Sequence, residues 1–134
     1  KAVNDINAEL SVFTKKKTQL TLDEIVDFYG SLAYYTPTKP TPKKALNPLF
    51  TIERTTQEPL LQCILQLRRL LTMHEGFRLQ DVKRYGITMY RRQVDVQSNV
   101  TAVTDSMKTG DPRLAIQLPQ DVISAGVTPN PRNK

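Results

Sequence analysis

Apolar positions recur at helical spacing over three stretches of the chain. VNDINAELSVF sets Val3, Ile6, Leu10 and Phe13 three or four residues apart, which predicts a short helix that the polar run KKKTQ releases. TLDE then reads as a capping box, in which the Thr21 side chain accepts from the Glu24 backbone N–H while the Glu24 side chain reaches back to the Thr21 N–H. Leu22, Ile25, Val26, Tyr29, Leu32 and Ala33 follow at i, i+3, i+4 and i+7, so an amphipathic helix is expected to run to about Tyr35. EPLLQCILQLRRLLTMHEG is the strongest pattern: Leu60, Ile64, Leu67 and Leu71 form one stripe, and Leu61, Leu65 and Leu70 widen it beyond one face. Such a helix needs neighbours on several sides.

Between the second and third stretches the pattern breaks. Segment 36–48, TPTKPTPKKALNP, carries four of the nine prolines, which remove backbone donors and bias each preceding residue away from α geometry. It reads as a loop with polyproline character, and only weakly as a PxxP ligand. After the third stretch, Gly76 is expected to interrupt the helix. FRLQDVKRY adds a further turn or two, closed by Gly86 as a C-terminal cap with Lys83 and Arg84 placed for the helix dipole. Beyond Gly86, ITMYRRQVDVQSNVTAVT is rich in β-branched residues and predicts an extended strand, DSMKTGDP a turn, and RLAIQLP a second extended run. VTPNPRNK is a tail with little capacity for regular structure. The fold class expected is mainly α, with an irregular, partly extended C-terminal region.

Composition narrows the chemistry. At 134 residues one domain is the default, and the formal charge of +6 comes from 19 Lys and Arg spread along the chain. Their local concentrations are Lys15, Lys16 and Lys17, then Arg68-Arg69, then Arg91-Arg92. Spread of this kind serves solubility more often than it makes a phosphate-binding stripe. Cys63 is the only cysteine and lies in PLLQCILQL, where a small buried hydrophobe is expected; neither a disulfide framework nor a cysteine-rich zinc site can be built. His74 is the only histidine, which excludes a two-histidine zinc site. There is no Gly-x-Ser-x-Gly elbow and no Gly-rich phosphate loop, so no enzyme, cofactor or metal is expected.

The densest charge lies in 74–86, HEGFRLQDVKRYG. In a continuous helix Glu75 and Asp81 fall on opposite sides, each with a cation three or four positions away: Arg78 for Glu75, Arg84 or Lys83 for Asp81. That spacing favours charge pairs over an acid and base facing one substrate. A buried Arg78 would need a bidentate carboxylate partner, and its role is then structural.

Glu75, Gly76, an aromatic, Arg78, Asp81, Val82, Arg84 and Tyr85 together resemble the C-terminal signature of the SusD/RagB family of Bacteroidetes nutrient-binding lipoproteins. There the pattern runs as Glu-Arg-x-x-Glu-Leu-x-x-Glu-Gly-x-Arg-x-x-Asp-Leu-x-Arg-Trp. The tail RLAIQLPQDVISAGVTPNPRNK is similar to the family's ending, carried here by Arg113, Pro119, Gln120, Asp121, Asn130 and Pro131. VNDIN and LTLDEI also resemble family helices. The chain departs from the pattern at Arg68-Arg69 and Leu71-Thr72, which stand for the family's Glu-Arg and Glu-Leu, and 36–48 looks like an insertion.

The resemblance implies that 1–134 is a single segment from the C-terminal part of such a protein, packed in a tetratricopeptide-like, SusD-like α–α superhelix. The N-terminal part, bearing the lipid anchor, would lie outside this chain. It also implies an outer-membrane, cell-surface location and a TonB-dependent transporter of the SusC/RagA type as partner. The ligand would be a glycan or peptide, recognised without catalysis and with no nucleic acid as partner. The chain has no Trp, so aromatic contacts would fall to Tyr34, Tyr35 or Tyr90. The alternative is a free-standing basic helical module that binds nucleic acid or protein, its three basic clusters converging in space.

Overall fold

The computed structural model describes residues 1–132. Helix α1 (Ala2–Phe13) forms on the first periodic stretch and buries Ile6, with Val3 and Leu10 partly covered and Phe13 left exposed. The Asn7 amide ties the following link to it, since Nδ2 donates to Leu20 O at 3.0 Å and Oδ1 accepts from Leu20 N at 2.8 Å. Helix α2 (Leu22–Ser31) opens on the expected capping box, with Glu24 N donating to Thr21 Oγ1 at 3.3 Å and Thr21 N to Glu24 Oε2 at 2.9 Å. It ends at Ser31, short of Tyr35. Leu32 turns extended (φ −79°, ψ 136°) and still packs on the core of Ile6, Ile25, Tyr29 and Cys63. An apolar residue in phase with the helix therefore reaches the core from outside it. Past it, the Tyr34 hydroxyl donates to the buried Glu58 carboxylate at 2.9 Å and Tyr35 N donates to Lys43 O at 2.7 Å, interactions that draw the chain into the proline-rich loop.

Helix α3 (Gln57–Leu71) starts under Glu53, whose Oε2 accepts from Thr56 N at 2.8 Å and Gln57 N at 3.0 Å. The Thr55 hydroxyl and these backbone N–H groups hold the Glu53 carboxyl down at about 2. The widened apolar stripe finds two sets of neighbours. Cys63, Leu60, Ile64 and Leu67 face α1 and α2, whereas Leu65 joins Val82, Ile87 and Leu114 in a second core. Leu70 and Leu71, at the end of the stripe, stay exposed.

The helix stops before Gly76. Thr72 turns both its N–H and its hydroxyl back to Arg68 O, at 2.9 and 2.8 Å, after which His74 (φ 75°) and Gly76 (φ 77°) take left-handed backbone and reverse the chain. Helix α4 (Arg78–Tyr85) follows and is closed by left-handed Gly86, with Lys83 and Arg84 in its last turn as expected.

Charge pairing within 74–86 does not follow local spacing. Asp81, buried, pairs with Arg68 of the preceding helix, Nε to Oδ1 at 3.2 Å, and its Oδ2 has no hydrogen-bond partner among the described residues. Reversal of the chain at His74 and Gly76 brings α3 against that face of α4, so a cation across the corner wins over Arg84 and Lys83, both exposed on the last turn. Glu75 is exposed and forms no ion pair with Arg78. Half-buried Arg78 has no carboxylate within salt-bridge distance among the described residues.

The C-terminal third is a hairpin and an irregular wrap. Strands β1 (Met89–Val94) and β2 (Val100–Met107) pair antiparallel, so the run read as one strand is folded in two. The turn is built by Asp95, whose carboxylate accepts from Asn99 N at 2.7 Å and Asn99 Nδ2 at 3.0 Å. Asp105, Ser106 and Met107 belong to β2, not to the turn that follows it. The second extended run loses its first two residues: Asp111 accepts from Arg113 N at 3.0 Å and opens a 3-10 turn at Pro112–Leu114, after which Ala115 is extended and 116–119 form no strand. An unexpected short helix α5 (Gln120–Ser124) comes next. Residues 127–132 have no regular structure, and the last two residues of the Pro/Asn tail lie outside the described residues. The result is a mostly helical fold with one two-stranded hairpin; no α–α superhelix is present among the described residues.

Two expectations follow for stability. A Cβ at Gly86 would lie 2.1 Å from Asn47 O, in a backbone at φ 60°, and would strain the Asn47 N to Tyr85 O bond of 2.8 Å. Gly86→Ala is expected to lose about 2 kcal/mol or more in urea denaturation. Asp81→Ala, which removes the Arg68 pairing and empties the buried carboxylate's place, should lose about 1 to 3 kcal/mol, whereas Glu75→Ala should stay within about 0.5 kcal/mol; equal losses would contradict the cross-helix pairing.

Candidate functional site

The proline-rich loop is stapled down from two sides. On α3 the buried Gln62 side chain reads the backbone of Lys44 as a strand would, its Oε1 accepting from Lys44 N at 3.0 Å and its Nε2 donating to Lys44 O at 2.6 Å. From β1, Arg92 reaches over the loop, with Nε donating to Pro37 O at 2.6 Å, one terminal nitrogen to Thr36 O at 2.7 Å, and the other to the Tyr35 hydroxyl. Held in this way, the loop closes one wall of a cavity of about 580 Å³, whose other walls come from α3, α4 and the start of β1.

Among the described residues four cations line that cavity, Lys44, Arg69, Arg78 and Arg92, and no carboxylate does. Lys44 Nζ lies 3.5 Å from the Tyr35 ring centre and donates to Thr41 O at 2.6 Å. The Arg92 guanidinium sits 4.3 Å from the Tyr35 ring and 5.4 Å from Tyr90, and the two rings are 5.5 Å apart at 30°. Tyr35 therefore serves as a rest for cations more than as a bare platform. Burial, followed by Arg69, Arg78 and Arg92, pushes the Lys44 ammonium down to about 8. Burial and then Arg69 lower Arg78, with Asp81 opposing them only from a distance because Asp81 is engaged with Arg68. The arrangement offers concentrated N–H donors and positive charge. It does not offer a nucleophile activated by a base.

Of the three tyrosines singled out from sequence, Tyr35 and Tyr90 meet at this cavity. Tyr34 lies apart, bonded to Glu58, with Lys43 4.5 Å from its ring centre. Glu75 and Gly76 sit in the α3–α4 turn, while Arg84 and Tyr85 line a separate cleft with Arg68 and Asp81. Arg113 gathers Asp111 (Nε to Oδ1 2.9 Å), Asp105 and Ser106 O (2.8 Å) beside the hairpin. Pro119 precedes α5, and Asn130 clasps Gln117 and Ile116, with Pro131 following it. Among the described residues no group of three or more His, Cys, Asp or Glu is placed to hold a metal, and no helix is long and apolar enough to cross a membrane.

Sequence reading missed Gln62 and Lys44, and it named Arg69 and Arg92 only within their doublets. The basic clusters do not converge as wholes. Arg69 and Arg92 reach the cavity, Arg68 turns to Asp81, and Lys17 pairs with Glu24 at 2.5 Å.

Lys44 gives the site a pH signature. Its folded value of about 8 lies below the ordinary 10.5, and it is faced by Arg69 from α3, Arg78 from α4, Arg92 from β1 and the Tyr35 ring. Its charge is thus a penalty below about pH 8, relieved as pH rises through the window in which only the unfolded chain keeps the proton. Unfolding free energy of the natural chain, relative to Lys44→Gln, should rise between about pH 8 and about pH 10.5. Parallel profiles in urea denaturation would refute it. Comparison with protein-family models, with curated proteins and with solved structures finds no match to this chain.

Proposed function

We propose that this chain is a segment of a cell-surface nutrient-binding protein of the SusD/RagB type. On this reading it captures glycan or peptide without transforming it and works with a TonB-dependent outer-membrane transporter of the SusC/RagA type. The single observation that supports it most is the cavity beside the proline-rich loop, where Tyr35 and Tyr90, far apart in sequence, come together among polar donors. A concave site of several hundred Å³ with a few convergent polar groups is the geometry of small-ligand capture. The Glu-Gly-x-Arg-x-x-Asp corner adds the resemblance stated above, and the lipid anchor would belong to a part of the protein outside this chain.

The second reading is a basic module for nucleic acid, which the four cations at the cavity favour. Against it, phosphate backbones are met by cations spaced along a groove or stripe, and here they surround one hollow while Arg68 and Lys17 are committed to carboxylates. Titration with duplex and single-stranded nucleic acid over a salt series separates the two, because phosphate contacts give a steep salt slope.

Calorimetric titration of the chain with soluble oligosaccharides and short peptides tests the first reading. Tyr90→Ala should weaken the binding found by about tenfold, the scale of one aromatic contact. A folded Tyr90→Ala chain with undiminished affinity would count against this cavity as the site, and nucleic acid as the sole ligand would replace the reading altogether.

A further inference from the structure

We infer that the cavity takes an acidic saccharide, with Lys44, Arg69 and Arg78 meeting a carboxylate or sulfate group on the sugar. This rests on the nutrient-binding reading above and adds the chemistry of the ligand.

Elsewhere in the chain two arginines meet carboxylates. Arg113 is clasped by Asp105 and Asp111, and Arg68 meets Asp81 across the helix corner. In the cavity, by contrast, Arg69 and Arg78 make no side-chain hydrogen bond or ion pair among the described residues. Lys44 and Arg92 are held only by neutral partners: backbone carbonyls, a phenol and aromatic rings. Neutral acceptors fix a cation in place without cancelling its charge. Four positive groups around one hollow repel one another, and a bound anion relieves that repulsion while accepting charge-assisted hydrogen bonds.

The uncharged lining selects a saccharide among anions. Gln66 and Thr88 side chains line the hollow without a hydrogen bond among the described residues, and Tyr90 adds a ring beside them. An amide and a hydroxyl suit sugar hydroxyls, and a ring face suits sugar C–H groups. An acidic peptide would ask instead for main-chain donors and acceptors. A polyphosphate chain would ask for cations continuing beyond the hollow.

The test is calorimetric titration of the chain with an oligogalacturonate, a sulfated galacto-oligosaccharide, a neutral galacto-oligosaccharide of equal length and an oligoglutamate peptide, at low and high salt. Binding of one or both acidic saccharides, at least about tenfold tighter than the neutral one and weakened by salt, is expected. Arg69→Gln, an exposed change that the fold tolerates, should lower that affinity by about 10- to 100-fold, and Lys15→Gln should leave it unchanged. Arg78→Gln should act in the same direction. Which acidic saccharide binds distinguishes carboxylate from sulfate as the recognised group. Equal affinity for neutral and acidic saccharides overturns the charge assignment and leaves nutrient binding standing. Preference for oligoglutamate overturns the saccharide, and no affinity for any of the four overturns both readings.

Discussion

The side-chain amide of Gln62 is the contact on which the candidate site depends. A proline-rich segment cannot hold itself in a ladder or a helix, because several of its residues have no N–H and their neighbours are kept from α geometry. Gln62 supplies the missing partner from a rigid helix, donating to and accepting from the same residue, Lys44, at 2.6 and 3.0 Å. The amide is 2% exposed, so its two bonds are made away from competing water, and leaving either end unmade would strand a buried polar group. Gly86 does the equivalent work at the far end of the loop, where its bare Cα lets Asn47 approach and bond to Tyr85 O. Between these two anchors the loop has little freedom left, and Lys44 is delivered to the hollow at a fixed height.

Among the described residues three basic side chains are paired with carboxylates, and four others gather at the cavity without one. Arg113, Arg68 and Lys17 each find a carboxylate, and the Glu53 carboxyl finds a helix N-terminus. The cavity cations find none. Burial, and after it Arg69, Arg78 and Arg92, lowers the Lys44 ammonium to about 8, so holding its charge here weighs against the fold. What sets the cavity apart is that its four cations lie together with no carboxylate lining it among the described residues.

Much of the helical half was legible in the sequence because it obeys local rules. The Thr21–Glu24 box, the periods of α1 and α3, and the Gly86 cap each depend on residues within a turn of one another. Misses arose where contacts outside the hydrophobic period decided the outcome. Helix α2 ends early because Leu32 can serve the core from extended backbone. The hairpin was hidden because its turn is made by an Asp95–Asn99 side-chain contact without a glycine in it, and RLAIQLP loses its start because Asp111 and Arg113 wind Pro112–Leu114 into a 3-10 turn. The site was legible only in part. Tyr35 and Tyr90 were named as aromatic candidates, but nothing local to KKALNP marks Lys44, and no period links Gln62 to it.

The doublet Arg68-Arg69 explains why a basic cluster in sequence is a poor guide to a basic surface. Successive helix residues point about 100° apart, so two adjacent arginines serve two different faces of α3. Arg68 faces the corner and takes the buried Asp81, at 3.2 Å; Arg69 faces the hollow. That division fixes the charge of both places at once. Glu75, the carboxylate that local spacing would give Arg78, is exposed and unpaired with it, and Asp81, three residues after Arg78, is committed across the corner, so Arg78 lines the cavity with Arg69. The corner that carries the family-like signature and the hollow that carries the cations are thus coupled through one carboxylate. Were Asp81 to pair with Arg78 instead, the hollow would lose part of its field and Arg68 would lose its partner. Its position across from Arg68 is what lets a structural corner and a cation-lined cavity share one short helix.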